Sequence, residues 1–192
     1  MRKSRLFVLS VGVSLFASVG LLAPSASAAT DPTRVTINLT AVVDIVDGSP
    51  PPGIAPGVVI TGSYTYNPKT KDINPLVGVG DYVHNQQPYG IQLNMGDFSV
   101  QTDPENVDFQ IEIVNDYNGS DNYTLISFNN TAGVDIIHWQ LNDPTQAALS
   151  NANLKKTAPV LSSWEQPSQL DVIGEDDAYL IRSHVTQAVK VA

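Results

Sequence analysis

From Arg34 to Asp47 the chain keeps a period of two. Val35, Ile37, Leu39, Ala41, Val43 and Ile45 fall on one side of an extended backbone, and Thr36, Asn38, Thr40 and Asp44 on the other. A helix would bring apolar residues round every three to four positions, so this spacing predicts a long strand. A strand with one apolar face must pair into a sheet and cover a core. The run ends in Asp47-Gly48-Ser49-Pro50-Pro51-Pro52-Gly53, a stiff loop that cannot join a ladder.

The same signal recurs along the chain. Val58 to Asn67 predicts a second strand, with Ile60, Gly62, Tyr64 and Tyr66 on one side and Thr61, Ser63 and Thr65 on the other. Pro68 to Gly90 is rich in Pro, Gly, Asn and Gln and reads as one long loop. Short strands are expected at Ile91–Met95, Phe98–Thr102, Asp108–Asn115, Asn122–Asn129 and Val134–Leu141. Ile137, Trp139 and Leu141 fall on one face of the last of these, Val134, Ile136 and His138 on the other. Asp143-Pro144 opens a short helix towards Leu149, with Asp143 as its N-cap and Pro144 at the first helical position. Leu154 to Gln169 is irregular, and Leu170–Ile173 and Ala178–Val191 close the chain as strands. Many short strands and almost no helical period predict an all-β fold, a two-sheet antiparallel sandwich of jelly-roll type with at most one short helix.

The N-terminus has its own pattern. Arg2, Lys3 and Arg5 precede an apolar run from Leu6 to Ala23, Pro24 breaks it, and Ala26-Ser27-Ala28 supplies small residues for cleavage. This reads as a secretory signal peptide over residues 1–28, bacterial in its compact form, with the protein exported or periplasmic. The run is just long enough to span a bilayer, but the cleavage site and its Ser and Gly content favour removal. No second long apolar run follows, so no membrane span is expected after cleavage.

Cleavage of the 192-residue chain after Ala28 leaves 164 residues, sized for one domain over 29–192. Three basic residues go with the signal, so seven remain against nineteen acidic ones, a formal charge of −12. That surface repels phosphate backbones and excludes nucleic acid as a partner. The absence of Cys removes thiol catalysis, Cys-bound zinc and disulfides.

Several short motifs follow one another in a familiar order. Thr61-Gly62-Ser63-Tyr64-Thr65-Tyr66-Asn67 precedes Val79-Gly80-Asp81-Tyr82, and Glu112-Ile113-Val114-Asn115-Asp116 precedes Asp121-Asn122-Tyr123. Trp139-Gln140-Leu141-Asn142-Asp143-Pro144, Ala148-Leu149-Ser150 and Ala158-Pro159-Val160-Leu161 complete the series. Over residues 34–190 the chain resembles exported bacterial β-sandwich proteins of uncharacterised function, many of them Pro-Glu-Pro (PEP-CTERM) sorted. The resemblance implies the fold and export, and no catalytic residues. The chain departs from that pattern at Val189-Lys190-Val191-Ala192, where neither Pro-Glu-Pro nor an apolar anchor stands.

Four constellations bear on chemistry. Asp116, Asn118 and Asp121, with Asp108 and Glu112 near them in sequence, offer hard oxygen ligands suited to Ca²⁺. Their spacing is not that of an EF-hand, and the alternative is an acidic hairpin loop whose side chains cap their own turns. His84, His138 and His184 lack any metal-ligand spacing. Glu112, Asp135 and Asp97 are candidates for the carboxylate pair of a glycoside hydrolase, although nineteen acids make such pairs easy to find. Tyr82 and Tyr89, in or beside the long loop, are the candidate sugar-stacking contacts. Tyr64, Tyr66, Trp139 and Trp164 read as core residues instead.

These features support an exported, non-catalytic β-sandwich acting at the cell surface or in extracellular matrix. It would bind glycan through Tyr82 and Tyr89, with Ca²⁺ holding a loop. The alternative is a secreted polysaccharide hydrolase using paired carboxylates, and a purely structural subunit is a third reading.

Overall fold

The computed structural model describes residues 33–192, and the expected signal segment and its cleavage site lie outside them. The first strands are β1 (Val35–Gly48), β2 (Val59–Tyr66), β3 (Val79–His84), β4 (Gly90–Met95) and β5 (Phe98–Gln101). They are followed by β6 (Phe109–Tyr117), β7 (Ser120–Ser127), β8 (Val134–Asp143), β9 (Gln169–Gly174) and β10 (Tyr179–Lys190). All pair antiparallel in one continuous sheet of order β3-β6-β7-β8-β9-β10-β1-β2-β4-β5. Among the described residues the helical elements are two 3₁₀ turns of three residues each.

The all-β, antiparallel expectation holds, but one curled half-barrel stands where two separate sheets were expected. The long central strands carry the curl. β1 is bulged against β10 at Thr40/Ala41 and again at Val43/Ile45, and bulges raise local twist and bend a strand. The curl brings distant strands together. The Tyr64 hydroxyl on β2 lies 3.1 Å from that of Tyr123 on β7, five places away in the sheet. Beyond β5, Thr102 bridges to Asn130, and the Asp103 and Thr131 N–H groups donate to Asn129 and Gln101 carbonyls. The edge at β5 is thereby stitched to the connection after β7.

The core follows the predicted period. Val35, Ile37, Leu39, Ala41 and Val43 are buried, and Trp139 is enclosed with its indole N–H donating to Ser168 at 2.7 Å. Ile45 departs from the pattern at 52 % exposed. Asp44 is the extra residue of the second bulge, so the alternation changes phase there and Ile45 turns outward.

Two further expectations are corrected. The long loop contains β3, which pairs with β6 along its whole length from Val79↔Val114 to His84↔Phe109. The helix expected after Asp143 does not form. Instead Asp143 ends β8, and its carboxylate accepts from the Thr145 hydroxyl and from the N–H groups of Thr145, Ala147 and Ala148. Gln146 takes a left-handed backbone (φ 60°), which stops helical propagation.

Candidate functional site

β2, β4 and β5 turn their hydroxyl and amide residues outward, and two loops rise beside them. Between these walls lies an open groove of about 300 Å³. Its floor is Ser63 and Thr65 of β2 with Gln92 of β4 and Gln101 of β5, and its rim is Gln87, Pro88, Tyr89 and Pro104. The Gln87 amide donates to the Pro104 carbonyl at 2.8 Å, tying the two loops across the rim. Gln92 donates more weakly to the Ser63 hydroxyl at 3.3 Å. Gly90 makes the approach of the walls feasible: its φ is +142° and the Thr102 side chain stands 2.6 Å from where a Cβ would be.

Tyr89 is half-buried at the rim, its ring packed edgewise on His84 with centroids 5.1 Å apart. His84 closes β3 and is itself buried, with Phe109 tilted against it. Its Nε2 accepts the Asn67 N–H at 3.1 Å, and the Thr70 hydroxyl lies 3.0 Å from the same nitrogen. Burial pushes its pKa below the usual imidazole value, so the ring is neutral near pH 7 and packs against Tyr89 without a charge. Every side chain that reaches into the groove is uncharged.

Tyr82 is not part of this surface. It is 4 % exposed and its hydroxyl donates to the Ala152 carbonyl at 2.8 Å, so it is a core residue that pins the 144–168 segment. The alternation of β3 puts Tyr82 on the inner face, which the reading of this stretch as loop concealed.

The residues proposed for Ca²⁺ stay neighbours at the tip of the β6–β7 hairpin, where Asp121 is turned to the backbone. Asp116, near the end of β6, and Asn118, in the turn to β7, are exposed and have left-handed backbones, φ 54° and 55°. Asp121 points inward, fully buried, and gives one oxygen to the Asp116 N–H at 2.9 Å and the other to the Leu149 N–H at 2.8 Å. Its lone pairs serve the backbone, as in the turn-capping alternative. Among the described residues no three His, Asp or Glu side chains converge as a metal requires.

The carboxylate candidates are dispersed. Asp135 accepts the Asp176 N–H, and Asp97 sits in the exposed turn between β4 and β5. Glu112 faces Asp81 across the β3–β6 pair, and burial together with the Asp81 charge raises its pKa. Asp81 is also engaged by the Asn74 amide at 2.8 Å, and Asp72 accepts the Asp81 N–H.

The groove amides Gln87, Gln92 and Gln101 were missed by sequence reasoning. Their signal was the polar half of the strand alternation, which marks an outer face without saying what lies beside it. Compared with known proteins, the chain matches no family model, no curated protein and no solved structure. Among the described residues no helix is long and apolar enough to cross a membrane.

Proposed function

We propose that this is an exported, non-catalytic β domain that binds glycan at the cell surface or in extracellular matrix, through the groove beside Tyr89. Export rests on the Arg2–Ala28 pattern. Kinship with the Pro-Glu-Pro sorted proteins rests on the order of the turn motifs. The two halves of the curled sheet serve as the layers of a sandwich, joined by the Tyr64–Tyr123 contact.

One observation carries the binding reading: a half-exposed tyrosine, Tyr89, lines a groove together with amides and hydroxyls. Sugars present apolar C–H faces and a dense set of hydroxyls. Tyr89 suits the former, and Gln92, Gln101, Ser63 and Thr65 suit the latter. The protein should be retained on insoluble polysaccharide, and Tyr89→Ala should abolish retention with the melting temperature held. Undiminished retention of that variant would remove the groove from consideration.

The hydrolase reading is favoured by one feature, the Asp81–Glu112 pair with its raised Glu112 pKa. Release of new reducing ends during the same incubation, lost in Glu112→Gln, would establish it over simple binding.

A further inference from the structure

The register of the sheet sorts charge unequally between its two outer halves. Across β3, β6, β8, β9 and β10 the outer face carries Asp81, Glu112, His138, Asp171 and Arg182. Asp171 and Arg182 form a two-bonded fork, both bonds at 3.0 Å. Across β1, β2, β4 and β5 the register instead builds two uncharged rows. Asn38, Ser63, Gln92 and Gln101 are successive cross-strand partners, and Thr40, Thr61, Asn94 and Ser99 form the next row.

This neutral face is continuous with the groove. A second hollow of about 140 Å³ lies over Gln92, Asn94, Ser99 and Gln101, bounded by Thr131. It shares Gln92 and Gln101 with the Tyr89 groove, so the two depressions abut. Within it the Ser99 hydroxyl donates to Asn94 at 2.7 Å, which leaves the Asn94 amide N–H groups facing outward. The path from Tyr89 through Gln92 to Asn94 follows β4, whose outward side chains recur every two residues, about 6.8 Å apart, so an extended chain can lie lengthwise over them.

Resting on the glycan-binding reading above, we propose that the ligand is an uncharged, extended polysaccharide. One end is held against Tyr89, and the chain continues over Gln92 and Gln101 into the Asn94 hollow. In a mature chain of formal charge −12, an anionic polymer is repelled by the surroundings, and a cationic one finds no carboxylate in either row. Neutral hydroxyls match the amide and hydroxyl lining without burying an unpaired charge.

The test is calorimetric titration of residues 29–192 with cello-oligosaccharides of two to six units, and with oligogalacturonates of the same lengths. Affinity for the neutral series should rise with length, and should be indifferent to salt. Asn94→Asp, isosteric and on the exposed face, should weaken the six-unit ligand roughly tenfold while leaving the two-unit ligand unchanged. Length-independent affinity, or full affinity of Asn94→Asp for six units, would overturn the extended site and leave the Tyr89 groove standing. Tighter binding of the acidic series would overturn the uncharged class. Absence of binding to both series, and of retention on any polysaccharide, would overturn the groove reading itself.

Discussion

Tyr64 and Tyr123 each carry a hydroxyl into the interior, and each is the other's partner. Burial raises both phenol pKa values, so both remain neutral donor-acceptors. Removing one hydroxyl strands the other without water. Tyr64→Phe should therefore cost about 1–2 kcal/mol in urea unfolding, and Tyr64→Phe with Tyr123→Phe less than the sum of the two single variants. Additive costs would show that the hydroxyls do not depend on each other. Asp121 is a second buried polar group with a defined role. Asp121→Ala leaves the Asp116 and Leu149 N–H groups unpaired and should cost about 3 kcal/mol. EDTA should leave the wild-type melting temperature unchanged, because Asp121 is turned to the backbone N–H groups and, among the described residues, no three acidic or imidazole side chains converge; a lower melt would restore a bound cation.

At the scale of elements, Asp143 holds the start of a segment whose Ala148, Leu149, Ala152 and Leu154 pack against the core. Its four hydrogen bonds draw its pKa down to about 2, the Thr145 hydroxyl first among them. The Tyr66 and Tyr82 hydroxyls grip the same segment further on, at the Lys155 and Ala152 carbonyls. Asp143→Ala should expose residues 145–148 to hydrogen exchange while the strands stay protected. Unchanged exchange there would mean that the segment is held by packing alone. The contrast between β1 and β3 explains what was legible at this scale. Fourteen residues of sustained alternation identify β1 from sequence. β3 has six residues, among them Gly80 and Asp81, whose own preferences are those of a loop. It is a strand because β6 pairs with it and because Asp72 accepts its Asp81 N–H.

At the scale of the whole molecule, proton linkage through His84, His138 and Asp143 makes acid destabilising, and Glu112, whose pKa is raised by burial and the Asp81 charge, opposes them by favouring the folded state at low pH. Burial lowers the pKa values of His84 and His138 in the folded state. Their contribution is intact above the unfolded value near 6.5 and is lost as pH falls from there through the lowered folded values, because the unfolded chain takes up the protons first. Asp143 adds a second loss, beginning below its unfolded value near 4 and complete below about 2. The melting temperature should therefore decline in two stages on acidification. His84→Gln should diminish the first stage; an identical profile in that variant would assign the stage elsewhere.

Local alternation determined a great deal by itself: that the chain is a β protein, that Val35 to Val43 and Trp139 go inside, and that Thr61, Ser63 and Thr65 go outside. Period two needs only neighbouring residues, so it is readable from them. The choice between Tyr82 and Tyr89, and the fate of Asp121, were decided by contacts across the curl. Ala152 receives Tyr82, His84 supports Tyr89, and Leu149 reaches Asp121 from 28 residues away. A groove likewise exists only where strands and loops distant in sequence become walls. The alternation fixes which face of a strand is polar, and only the curl decides what that face meets.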